Sequence, residues 1–259
     1  MILRQFLHTD PVAISYLFGC GGKAAAAIVD PVGETAPYIQ AAQNTGMRIR
    51  YVIDTHIHAD HVSAGRPLAE AVGAEYVLFA EAEAAAPFHA VRDHEVLALG
   101  NVVAEILHTP GHTPDHICLL VTDRTRAAEP WFVLTGHTLM VGDVGRTELA
   151  AAAEEGARVL FRSLRQLKAL PDHLEVFPGA FSGSVCGRSL SGNPMSTIGF
   201  ERRHNAAFRI EHEDAFVRFM LDDIPSPPPR AAELRAINAG LALAKPTGAT
   251  SDSRTLSVP

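Results

Sequence analysis

The sequence predicts an α/β (α+β) fold in which sheets pack together and helices lie outside them. Apolar, β-branched runs alternate with helical periodicities in two comparable halves, and long polar loops follow the strands. Hydrophobic residues make up 47% of the 259-residue chain and charged residues 20%, ample apolar material for a core.

Each element has a local reason. Residues 16–18 and 24–29 are short apolar runs separated by 19–23, the pattern of a hairpin, and turn residues close the unit at 30–33. Residues 36–45 read as a helix stopped at Gly46. Residues 50–55 (RYVIDT) form a β-branched strand that feeds a polar, His-rich loop. A helix over 63–72 takes Ser63 as its cap and has Gly73 past its end. A strand at 76–79 leads into an alanine-rich stretch, and strands at 102–107 and 116–121 flank the loop HTPGHTPD. Residues 131–135 and 139–141 continue the β-rich pattern. Helical periodicity over 148–170 is expected to break near Gly156, with a last strand at 174–177 and a helix at 213–221. Composition changes at Pro225. Residues 1–224 are therefore expected to form one domain, and 225–259 a Pro-rich linker, a short helix over 231–244 and a disordered tail.

Composition excludes several classes. A net charge of −7 leaves no basic excess to neutralise phosphates, so nucleic acid is not expected as a partner. The longest apolar runs, 24–29 and 117–121, fall far short of a membrane span, and the start MILRQFLHTDP lacks signal-peptide features. Three cysteines, Cys20, Cys118 and Cys186, are odd in number and widely spaced, so no disulfide framework and a reducing cytoplasm are expected. The unusual count is 13 His.

Those histidines cluster. THIHADH at residues 55–61 follows a strand directly, and His56 and His58, two apart, leave extended chain on the same side. Asp60 and His61 add an oxygen and a nitrogen donor as the chain turns, a combination that suits zinc or iron. In TPGHTPD at 109–115, prolines and a glycine stiffen the loop around His112, while His116 reads as a supporting or structural histidine. In TGHTLMVGDVGRT at 135–147, Gly136 permits close backbone approach and His137 sits where a ligand could emerge. Asp143 reads as a turn carboxylate and Arg146 as its partner. Cys186, in the loop after the last strand, reads equally as a small buried hydrophobe or, with Arg188 nearby, as a thiolate. Cys20 and Cys118 lie in apolar strands and read as core.

Together the H-x-H-x-D-H motif, the TPGHT loop and the segment TGHTL resemble the metallo-β-lactamase superfamily. The resemblance implies an αββα sandwich with a metal site at one edge of the two sheets. More narrowly, YLFGCGGKAAAAIVDPV, THIHADHVSAG, HTPGHTPDH, VGDVGRTEL, GSVCGR and STIGFERRHN are similar to the persulfide dioxygenases and their sulfurtransferase relatives, over residues from about 4 to about 240. In some relatives a rhodanese domain follows the Pro-rich linker; none is expected here. The resemblance assigns a mononuclear iron to His56 and His112, with His137 in the place where the family has Asp. Three imidazoles leave such a site one charge more positive than the common set of two His and one carboxylate. Where dinuclear hydrolases of the superfamily have a further metal-binding His this chain has Ala180, which argues against a dinuclear site. Cys186 matches a cysteine near the iron in the sulfurtransferase branch.

The function implied is an Fe(II)-dependent sulfur dioxygenase that oxidises a small persulfide such as glutathione persulfide, with O₂, to sulfite and thiol. His58, Asp60 and His61 would orient His56 or serve as alternative ligands, Arg188 would pair with a carboxylate of the thiol carrier, and a homodimer is expected. Two rivals remain. One is a Zn(II) hydrolase of a thioester or lactone, glyoxalase II-like, with Asp60 orienting or deprotonating the water. The other is a metal-free binding or sensing scaffold.

Overall fold

The computed structural model describes residues 1–222, 224 and 226–242. Its core is a pair of six-stranded sheets. The first runs in the order β1 (Ile2–Thr9), β2 (Val12–Cys20), β3 (Ala25–Val29), β4 (Arg48–Ile53), β5 (Glu75–Phe79), β6 (His89–Val91). Strands β1 to β3 are antiparallel. Strands β3 to β6 are parallel; α1 (Ala36–Asn44) joins β3 to β4 and α2 (Gly65–Val72) joins β4 to β5, as parallel pairing requires a crossover, and a loop over 80–88 joins β5 to β6. The second sheet runs β12 (Ser196–Thr197), β11 (Glu175–Pro178), β10 (Phe132–Gly136), β9 (Ile117–Asp123), β8 (Val102–His108), β7 (Val96–Leu99). Its one parallel pair, β10 with β11, is bridged by α3 (Ala153–Lys168). Three helices follow: α4 (Ile198–His204), α5 (Glu213–Asp222) and α6 (Ala231–Asn238).

Period-two alternation divides the apolar side chains between layers. Ile14, Tyr16 and Phe18 on β2 face Leu119, Phe132 and Phe177 across the sandwich. Ring centroids of Phe18 and Phe132 lie 6.2 Å apart edge to face. The other side of the first sheet buries Leu17, Ile28 and Val52 under Tyr38 and Leu68 of α1 and α2. The other side of the second sheet buries Cys118, Val133 and Val176 under Leu160, Leu164 and Phe216 of α3 and α5. Each fully buried side chain of this size contributes about 1.5–3 kcal/mol. The result is the expected αββα sandwich. Cys20 and Cys118 are core residues, and burial pushes the Cys118 thiol up to about 12.

Several boundaries differ from expectation for local reasons. β1 is an edge strand of half-exposed residues, and β6 and β7 have three and four residues, so none carries a strong pattern. Ser63 does not cap by position: α2 begins at Gly65, whose N–H donates to the Ser63 hydroxyl at 2.9 Å. Residues 139–141 form no strand, only the bridge Leu139↔Val144. β12 and α4 follow what was expected to be the last strand. α3 starts later than expected, at Ala153, and runs through Gly156 without a break. There the helix presses on Thr147 and on the TPGHT loop: a Cβ on Gly156 would meet the Thr147 carbonyl oxygen at 2.5 Å, and one on Gly111 the Leu160 Cα at 2.4 Å.

α6 lies within the expected 231–244 segment, while the last two residues of that segment and the expected tail after it lie outside the described residues. Leu234 of α6 is buried, and Ala239 belongs to the core under α1 and α2. No helix among the described residues is long and apolar enough to cross a membrane.

Candidate metal centre

The His-bearing loops gather at one edge of the sandwich, where the Ile117 N–H donates to the Thr55 carbonyl at 2.8 Å and stitches the sheets together. The loop after β4 hangs on two buried carboxylates. Asp30, just past β3, accepts from the Thr55 N–H at 2.7 Å and the Thr55 hydroxyl at 2.9 Å. Asp115 accepts from the Ile57 N–H at 2.7 Å. With its proton given to Asp30, the Thr55 hydroxyl accepts from His56 Nδ1 at 2.9 Å. His56 Nε2 is then a bare lone pair, and it is a buried atom without a hydrogen-bond partner.

His112 follows the same logic. Its Nδ1 lies 2.7 Å from the Arg146 carbonyl, which can only accept, so Nε2 again carries the lone pair. His137 emerges beyond Gly136, where a Cβ would meet His116 Nε2 at 2.6 Å and Thr55 Oγ1 at 2.7 Å. The His137 N–H donates to His116 Nε2 at 3.0 Å, and hydroxyls of Thr109 and Thr138 face His116 Nδ1 at 3.1 and 3.0 Å. His116 is therefore a support for His137, as the sequence suggests.

The structure brings His56, His112 and His137 together, with a donor atom from each within 4.8 Å of the others. Their ring centroids form a near-equilateral triangle of 4.9, 4.9 and 5.0 Å. Burial, then repulsion from neighbouring imidazoles, holds His112 down at about 3 and His56 well below its ordinary value. Burial likewise lowers His137 to about 4, against the pull of Asp60. All three are neutral near pH 7, the form in which imidazole binds a metal.

Beside the triad lies a second group of different charge. His58 Nε2 is 3.1 Å from Asp30, and although burial disfavours its charge, Asp30 raises it well above the ordinary histidine value. Asp60 is held well below the usual carboxylate range, burial opposing and His61 and His58 prevailing. His61 Nδ1 is 3.2 Å from Asp60 Oδ1 but misaligned for a hydrogen bond, and both atoms count as buried and unpartnered. Orphaned atoms on the neighbouring side chains His56, His58, Asp60 and His61 fit a cation, because burying polar atoms without a partner is costly.

Cys186 comes within the same 4.8 Å of Asp60 and His137. Its state is a thiol: burial, then the Asp60 carboxylate, pushes it well above its ordinary value. Arg188 does not activate it. That guanidinium is 3.1 Å from Asp143, donates to the Phe219 carbonyl and lies over the Phe219 ring, which leaves little of it for a substrate carboxylate. Asp143 is a turn carboxylate, as expected, but its cation is Arg188 and not Arg146. Arg146 pairs with Glu148 and reaches the Val185 and Ser226 carbonyls. Ala180 is buried and brings no donor.

Sequence reasoning gave no role to Asp30 or Asp115, although each is an acid next to a buried strand or a His-rich loop. It also missed the contacts of α6 with the loop after β4, for which no local signal exists.

A family model described as the metallo-beta-lactamase superfamily matches residues 11–179. The chain is similar to a metallo-beta-lactamase from Staphylococcus aureus subsp. aureus COL, with 34% identity, a TM-score of 0.88, and 95% of this chain and 75% of that one covered. It is similar to ETHE1 from Myxococcus xanthus, with 30% identity and a TM-score of 0.79, over 93% of this chain and 100% of that one. The human mitochondrial persulfide dioxygenase ETHE1 is 28% identical over 231 residues, 88% of this chain and 84% of that protein.

Proposed function

The chain belongs to the metallo-beta-lactamase superfamily, and from that membership we propose that it is an Fe(II)-dependent dioxygenase of small persulfides. Its likeness to the ETHE1 proteins supports the reaction class. The observation that carries the reading is the buried triangle of neutral imidazoles, in which His56 Nε2 has no partner. His56, His112 and His137 would hold the metal. Bound there, iron supplies the electron chemistry with O₂ that side chains cannot.

The rest falls to the protein. Three neutral ligands leave a divalent ion's charge uncompensated, which favours an anionic persulfide. Asp60 stays ionised beside His58 and His61. Near-complete burial of the triad keeps bulk water from the reacting sulfur. Overall, RSSH, O₂ and H₂O give RSH, sulfite and two protons. The three buried, unpaired cysteines suit a reducing cytoplasm.

The test is oxygen uptake by anaerobically iron-loaded protein on addition of glutathione persulfide. Stoichiometric uptake with sulfite is expected; no uptake with iron demonstrably bound would overturn the proposal. A second reading keeps one observation in its favour, since three neutral imidazoles also make a zinc set. Hydrolysis of a thioester or lactone by the zinc-loaded protein, without oxygen uptake, would select it.

A further inference from the structure

We propose that Asn238, with Arg235 one turn before it on α6, is a positioning residue for the loop that carries His56, His58 and His61. The proposal rests on the metal reading above. Asn238 spends its whole polar head on that loop: Oδ1 accepts from the Ser63 N–H at 2.9 Å, and Nδ2 donates to the carbonyls of His58 at 2.9 Å and His61 at 2.7 Å. Arg235 donates to the Ile57 carbonyl at 3.1 Å, and its other terminal nitrogen lies 3.9 Å from Asp115, the acid that takes the Ile57 N–H.

These backbone groups need such partners because the loop belongs to neither sheet. Asp30 and Asp115 hold its start, and the Ala64 N–H closes its end on the Pro31 carbonyl at 2.9 Å. Between them, α6 grips the peptides from which the His58 and His61 side chains depart. A turn of either peptide re-aims an imidazole. The helix can serve as a clamp because it is anchored independently, through buried Leu234 and a 2.8 Å bond from the Ala85 N–H to the Ala239 carbonyl. It lies well outside residues 11–179, the stretch the family model covers.

The test uses the full chain and Co(II) as metal probe. Asn238→Asp keeps the acceptor for Ser63 but turns both donors into acceptors facing carbonyls. The expected result is a ~10–100-fold loss of Co(II) affinity, the usual cost of removing an outer partner, together with an altered Co(II) visible spectrum. In the metal-free protein, amide exchange over residues 57–63 should quicken by about tenfold or more. Arg230→Ala, at an exposed ion pair with Glu233 on the same helix, should change none of these. Unchanged exchange, affinity and spectrum in Asn238→Asp would overturn the proposal. Should that variant fail to fold, Arg235→Ala decides: about threefold faster exchange of the Ile57–Ser63 amides supports the clamp, and wild-type exchange overturns it. The exchange arm needs no metal. A wild type that takes up no Co(II) would therefore sink the metal reading by a result separate from the clamp's own.

Discussion

Two sets of histidines share one edge of the sandwich and differ in charge. His56 and His112 hold their outer nitrogens against a hydroxyl and a carbonyl, and burial keeps them neutral. His58, two residues from His56 on the same loop, lies against Asp30 and is driven to the cationic form. The motif alone treats these rings alike. What separates the two rings here is the group behind each: a hydroxyl or carbonyl leaves the buried ring neutral, whereas the Asp30 carboxylate favours the cationic form of His58.

The largest effect should follow from breaking the neutral set. His56→Ala removes a donor outright, so metal affinity should fall by more than the ~10–100-fold that loss of an outer partner costs, and His58→Ala should stay within that range. Metal content after dialysis, with circular dichroism to check folding, measures both. Equal losses would erase the distinction between the two sets.

Next in size is Asp30→Asn, which should cost about 2–4 kcal/mol because it disrupts a buried charge network holding Thr55 and His58. The sign for His58 is definite. Without the Asp30 carboxylate burial still lowers it while Asp60 and Asp54 still raise it, so its pKa should fall from its raised value, as an NMR titration of the metal-free protein would show. An unchanged His58 pKa would mean that Asp30 is not its main source of charge.

How much of this was legible in the sequence depends on distance along the chain. The strand ending at Ile53 and the dense histidines after it are local, as are the Pro-Gly frame of His112 and the glycine before His137, and all of these could be read. The groups behind the rings are not local. Asp30 is 28 residues from His58, the Arg146 carbonyl 34 from His112, and Asn238 180 from His58. Nothing in composition or periodicity reports such pairings. The exchange of Arg146 for Arg188 as partner of Asp143 has the same origin, because Arg146 adjoins Asp143 in sequence whereas Arg188 lies 45 residues on and reaches it only through the fold. Edge strands were missed for another reason: β1 exposes residues on both faces, which blurs alternation.

His137→Asp sharpens the comparison by putting a charge into the neutral set. The new carboxylate would lie close to the ionised Asp60 in a buried cluster, so the metal-free variant should lose stability, by about 1–3 kcal/mol. Metal should restore it, and the set of two His and one carboxylate should favour iron and raise turnover, within about tenfold. Melting temperatures with and without Fe(II) measure the first effect and oxygen uptake the second. A variant that no longer binds metal would show that the site is not built like that of the persulfide dioxygenases.

The smallest structural change with an informative outcome is Cys186→Ser. The side chain is buried, its thiol is protonated, and it sits between Asp60 and His137, one group from each set. Serine fits the space and can still donate to Asp60, so stability should change by about 1 kcal/mol or less, and metal content not at all. If the sulfur meets the substrate, the rate or the ratio of sulfite to other sulfur products should shift, because a hydroxyl cannot take up or pass on sulfur as a thiol can. If rate and products are both unchanged, Cys186 is a packing residue, and its nearness to both sets of histidines follows only from its size.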